Sequence, residues 1–92
     1  MRKKWGTLKG YEKIMKGAAN ARRIEILIML TESPDMSLTE IASAVGGDFR
    51  TIGEHLRKLT LAGLISKKSD GKSMQHQITD LGVYVLKFVE TL

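Results

Sequence analysis

The sequence predicts a mainly α domain of about five helices carrying one two-stranded β-hairpin. Three observations point there. Apolar residues recur at three- and four-residue steps in several separate segments, the pattern of helices with one buried face. A capping-box sequence, Ser37-Leu38-Thr39-Glu40, is followed by Gly46-Gly47-Asp48, so two helices are joined by a tight glycine turn. Asp70-Gly71 separates two strand-like runs, which is a hairpin signal.

The elements follow in order. Leu8, Tyr11, Ile14, Met15, Ala18 and Ala19 place a first helix over residues 7–19. Asn20 is a cap for the second, whose apolar face is Ile24, Leu27, Ile28 and Leu30, and Ser33-Pro34-Asp35 ends it because proline cannot continue a helix. The third starts at the capping box and buries Leu38, Ile41, Ala42 and Val45. Asp48 caps the fourth, with Ile52, Leu56 and Leu59 turned inward and Gly63 set for a left-handed exit. The hairpin occupies about 64–78, with Met74, His76 and Ile78 on one side of its second strand. Thr79 or Asp80 opens a last helix over 80–92, whose apolar stripe is Leu81, Tyr84, Val85, Phe88, Val89 and Leu92. Helix, helix, helix-turn-helix (about 37–62), hairpin and helix is the order of a winged helix-turn-helix domain. The 92 residues suffice for one such unit over 1–92, and no repeat or internal linker is visible.

Composition narrows the function. The absence of cysteine removes disulfides, thiolate metal sites and thiol catalysis, and His55 and His76 alone cannot complete a metal site. No metal and no cofactor is expected. No apolar run approaches a membrane span, and Met1-Arg2-Lys3-Lys4-Trp5 leads into Gly6-Thr7-Leu8 and not into a signal-peptide core, so a cytoplasmic protein without membrane contact is expected. An enzyme is not expected either, since no nucleophile stands with a base at recognisable spacing and no phosphate loop is present. The net charge of +5 is unevenly placed: residues 1–23 carry +7, residues 24–47 only acids, residues 48–79 +3. A surface with one basic side is the electrostatic footprint of nucleic-acid binding.

The residues also resemble a known family. Ala19-Asn20-Ala21-Arg22-Arg23-Ile24-Glu25-Ile26-Leu27 is similar to the start of the second helix in ArsR-type prokaryotic transcriptional regulators. Asp48 to Ile65 resembles their recognition helix, in Thr51-Ile52, His55-Leu56, Leu59 and Ala62-Gly63-Leu64-Ile65. The stretch Gln77-Ile78-Thr79-Asp80-Leu81-Gly82 looks more like the wing ending of MarR-like regulators. The resemblance implies a homodimeric DNA-binding repressor whose terminal helices pair with those of a second copy. Many ArsR-type members sense metals through cysteines before the turn or through His and acidic residues on the last helix. Here the cysteines are absent and the last helix offers Asp80 and Glu90 without histidine, so the small-molecule effector stays open.

A helix entering a major groove needs short or forked polar side chains near its start and basic ones along its flanks. Phe49, Arg50, Thr51, Gly53 and Glu54 are therefore the expected base-contact set on double-stranded DNA. Arg50 suits a guanine edge, Thr51 a thymine methyl or a phosphate, and Glu54 a cytosine amine, although its charge is a penalty near phosphate. Gly53 costs a helix about 0.5–1 kcal/mol relative to alanine, which close approach of DNA or of another helix would explain. Ser37, Thr39, Arg57, Lys58, Lys67, Lys68 and Lys72 form the expected phosphate set, and Arg2, Lys3 and Lys4 a further arm. His55 is expected to pack between its helix and the wing, and His76 to become interesting only beside a carboxylate. The dimer seam is expected from Leu8, Tyr11, Leu81, Tyr84, Val85, Phe88, Val89 and Leu92, with Trp5 joining it. A winged-helix module that binds a protein with the same face is the alternative, and salt-insensitive, weak DNA binding would mark it.

Overall fold

The computed structural model describes residues 6–92; Arg2, Lys3, Lys4 and Trp5, named above, lie outside the described residues. The chain runs α1 (Leu8–Ala18), α2 (Ala21–Glu32), β1 (Met36–Ser37), α3 (Leu38–Val45), α4 (Phe49–Leu61), β2 (Ile65–Ser69), β3 (Met74–Ile78) and α5 (Asp80–Glu90). Each helix starts where a side chain can satisfy its free backbone N–H groups. Thr7 accepts from Gly10, and Asn20 from both Arg22 and Arg23. Ser37 and Glu40 close the capping box in both directions, at 3.2 and 2.8 Å. Asp48 accepts from Thr51, and Thr79, the cap of α5, from Gly82.

The wing differs from expectation by one strand. β1 adds to the hairpin, giving an antiparallel sheet in the order β1-β3-β2, with Met36 opposite His76 and Ser37 opposite Gln75. Asp35 makes this possible by adopting a left-handed φ of 66°, a conformation aspartate tolerates, while its N–H donates to the His76 carbonyl at 3.0 Å. Two residues cannot show a strand period, so the addition left no trace in the sequence.

The core lies between α2, α3, α4 and the base of the wing. Ile26, Leu27, Leu30, Ile41, Ile52, Leu59, Leu64 and Ile65 are fully buried in it. At about 1.5–3 kcal/mol for each such side chain, this cluster is what holds α4 by its inner face. Two glycines let elements come closer than a side chain would allow. A Cβ on Gly17 would collide with the Cβ of Ala62, where α1 crosses the end of α4, and one on Gly82 with the Leu64 carbonyl beneath α5. Thr79 and Gly82 of the wing ending thus have separate reasons: one caps α5 and the other lets it sit down.

Candidate nucleic-acid interface

α4 is a 13-residue helix locked from below by Ile52, Leu56 and Leu59. Its start is set by the turn before it. Gly46 takes the left-handed cap of α3 at φ 71°, and Arg22 from α2 donates to the last buried carbonyl of α3, that of Val45, at 2.6 Å. Asp48 then faces the positive end of α4, and the Thr51 N–H it accepts holds its carboxyl below the usual range.

With 3.6 residues per turn, the outer surface of α4 divides into three sectors. Arg50, Glu54 and Leu61 form the outermost ridge, all exposed. Phe49, Gly53 and Arg57 turn toward the wing, where they line a groove with Ser37, Leu38, Thr39, Lys67, Ser73 and Met74. Thr51, His55, Lys58 and Ala62 turn the other way, toward α1 and the start of α2. All expected base-contact residues therefore share the accessible surface of one helix, with Phe49 59% exposed and Gly53 partly covered by the wing groove.

Gly53 is not required by the fold. A Cβ there would touch only Leu38 Cδ2, at an ordinary 3.6 Å. Glu54 is engaged within its own helix: its carboxylate receives the Arg57 guanidinium through Nε at 2.9 Å and also through Nη2, and this bond holds its pKa down. A base-contact and a phosphate-contact candidate are thus one ion pair in the unbound protein.

The phosphate set is spread around this surface. Thr39 is exposed at the start of α3, whereas the Ser37 hydroxyl oxygen is occupied in the capping box. On the wing, strand alternation separates neighbouring lysines. Lys67 stands opposite His76 and faces the α4 groove; Lys68 stands opposite Gln75, on the other face, 4.0 Å from Asp35. Lys72 sits in the tip, where Asp70 accepts from the Lys72 and Ser73 N–H groups and has its pKa lowered chiefly by Ser73.

The expected place of His55 is corrected, and His76 lacks the carboxylate that would have made it of interest. His55 Nδ1 accepts from Arg23 Nε of α2, at 3.1 Å, so its neighbour is α2 and not the wing. Burial first, then the charge of Arg23, pushes its pKa down. His76 is 4% exposed under the sheet, its Nδ1–H donating to the Met36 carbonyl at 2.8 Å; its partner is a carbonyl and not a carboxylate. Among the described residues no three His, Asp or Glu side chains gather to hold a metal, and no helix is long and apolar enough to cross a membrane.

A second surface shares no residue with the wing groove. Met15, Ala18, Ala19 and Ile24 of the first two helices meet Leu81, Tyr84, Val85, Phe88 and Val89 of α5 around an apolar groove of about 550 Å³. Of the expected seam, Leu81 and Val85 also pack on the chain's own core, while Phe88 and Leu92 are 57% and 87% exposed. Leu8 and Tyr11 do not line this groove. Met15 and Ile24 were missed because each was read as core for its own helix; only the packing of α5 leaves them open.

The model of the HVO_A0114 family matches residues 18–79, about two thirds of the chain, from the end of α1 through the wing. The chain belongs to the HVO_A0114 family. This HVO_A0114-family chain is 29% identical over 65 residues to KmtR, an HTH-type transcriptional regulator of Mycobacterium tuberculosis, covering 71% of the chain. It spans about half the length of that curated relative, 49%. Its fold matches the homodimeric winged helix-turn-helix DNA-binding domain of Mb0332 from Mycobacterium bovis, a possible ArsR-family transcriptional regulator. The TM-score is 0.83 at 25% identity, over 91% of this chain and 78% of that one. It also matches SP03579, a MarR family transcription regulator, with a TM-score of 0.75 over 92% of this chain and 58% of that one; at 17% identity that likeness is one of fold. The HVO_A0114-family chain is accordingly a winged helix-turn-helix protein of the ArsR-like type, as its sequence resemblance implied.

Proposed function

We propose that the chain is a sequence-specific DNA-binding regulator of transcription, a homodimeric repressor that reads the major groove with α4. The observation that carries this reading is the form of α4: a capped helix fixed by a buried inner face, presenting Phe49, Arg50, Thr51 and Glu54 outward beside a lysine-bearing wing. An α-helix with its side chains, about 10–12 Å across, fits a major groove about 12 Å wide. Arg50 reads a guanine edge, Thr51 a thymine methyl or a phosphate, and Gly53 admits close approach of DNA in the groove between α4 and the wing. Arg57, Lys58, Lys67 and Thr39 hold phosphates and set the register. Because Arg57 is paired with Glu54, phosphate must compete with that carboxylate, which restrains binding to arbitrary DNA. The chain acts as one unit, and the terminal helices, 7–19 and 80–92, join two copies so that their α4 helices meet half-sites about one helical turn apart, roughly 34–36 Å. That the similar Mb0332 domain is homodimeric and DNA-binding supports pairing of two copies.

The test is selection from a pool of random duplexes by the full chain and by Arg50→Ala, at two salt concentrations. The wild type is expected to select two related half-sites, and Arg50→Ala to relax one position in each, a loss of about 1–3 kcal/mol of discrimination there. Weak, unselective binding by both proteins sinks the reading and turns attention to a protein partner for the same face.

A further inference from the structure

The side of α4 away from the wing faces a depression of about 360 Å³ lined by Lys13 and Lys16 of α1, Arg23 of α2 and Lys58 of α4, with Gly17, Ala19, Leu61 and Ala62 as its floor and rim. Its lining holds four cations and no carboxylate. Ordinary pairing accounts for part of this. Lys16 meets Glu12 at 3.2 Å, and Arg23 spends Nε on His55 and Nη1 on the Lys16 and Gly17 carbonyls at the end of α1. Lys13 and Lys58 have no close ion-pair partner among the described residues, and Glu54, which feels the Lys58 charge, does not line the concavity. The charges of Arg23 and Lys58, with that of Arg22 beside the depression, add to burial in holding His55 neutral, against Glu54. Like charges gathered at a concave surface repel each other and stabilise a bound anion.

We propose that this depression binds phosphate, specifically the sugar-phosphate strand that bounds the major groove on the side opposite the wing. The inference rests on the DNA-binding reading above. A helix lying in the groove has a phosphate strand along each flank. The wing flank carries Thr39, Arg57 and Lys67; the other flank of the same helix carries Lys58, with Lys13, Lys16 and Arg23 behind it. The two cationic rims lie on opposite sides of the Arg50–Glu54 ridge, as the two walls of one groove do. Lys13 and Lys16, on a helix otherwise assigned to dimer contacts, thereby become DNA-contact residues.

The experiment uses the full chain and the duplex that the wild type selects. Lys13→Ala is compared with Lys87→Ala, which removes the same charge from α5. Lys13→Ala is expected to weaken binding several-fold on selected and unselected duplexes alike and to lower the slope of log K against log[salt] by about one, the share of one phosphate; Lys87→Ala leaves the slope in place. In parallel, the His55 ring is titrated by NMR with and without the duplex. A phosphate in the depression offsets the Arg23 and Lys58 charges, so the His55 pKa rises on binding. If the wild type selects a duplex but Lys13→Ala and Lys87→Ala have equal slopes, the depression does not touch DNA and only this inference falls. If inorganic tripolyphosphate raises the His55 pKa and the duplex does not, the site belongs to a free phosphate ligand, which also overturns it. A wild type that selects no duplex removes the DNA reading itself.

Discussion

At the scale of single residues, Gly53 and His55 separate what the fold requires from what an interface requires. Only Leu38 Cδ2, at 3.6 Å, stands near a Cβ on Gly53. Gly53→Ala is therefore expected to stabilise the protein by about 0.5–1 kcal/mol, seen as a raised Tm. The same methyl group lies in the groove between α4 and the wing, so affinity for the selected duplex is expected to fall; unchanged affinity would mean that DNA does not approach there. His55 was legible as a packed side chain, but its partner was not, because nothing in the spacing brings Arg23 within 3.1 Å of it. In the unfolded chain an imidazole takes up its proton near pH 6.5, whereas in the fold it does so only at lower pH. Between those two values the unfolded state binds more protons. The stability that His55 contributes is then complete above about pH 6.5 and is lost as the pH falls through the folded value. Thermal unfolding between pH 7 and 5 is expected to show this loss in the wild type and a flatter profile in His55→Asn, since the lowered pKa values of Asp48, Glu54 and Asp70 act only in the more acidic carboxylate range.

At the scale of elements, every helix was visible from its apolar period, and four of them also from a capping side chain, Asn20, Ser37, Asp48 and Thr79, that survives in the fold. Expected bounds of 7–19 for the first helix became Leu8–Ala18 with Thr7 as cap, the kind of difference that helix ends produce. The wing was legible as a hairpin and incomplete as a sheet, since β1 depends on a left-handed Asp35 and on a partner strand some forty residues away. Strand alternation also sorts the wing lysines. Lys67→Ala is expected to lower the salt slope of DNA binding by about one, whereas Lys68→Ala, on the face that carries Asp35, leaves it nearly unchanged. Equal slopes for the two variants would show that the wing meets DNA with its edge and not with the face toward α4.

At the scale of the whole molecule, the apolar groove between α1, α2 and α5 is the surface proposed to join two copies. Phe88→Glu places a charge in the centre of that groove, where burying the phenyl ring is worth about 1.5–3 kcal/mol per copy. Sedimentation is expected to give twice the chain mass for the wild type and the single chain mass for Phe88→Glu, with paired half-sites losing their advantage over single ones. A dimeric Phe88→Glu would place the seam elsewhere. The sequence by itself determined the order of elements, the caps, the inner face of α4 and the residue types on its outer face, because these follow from local periods and from hydrogen bonds between residues a few positions apart. Only the tertiary structure decided which distant groups meet: Arg23 with His55, His76 with the Met36 carbonyl, Lys67 with the groove beside α4, and Lys13 with Lys58 around one depression. Those pairings depend on how helices cross and on which strand lies next to which, and such contacts between distant parts of the chain leave no period in the sequence.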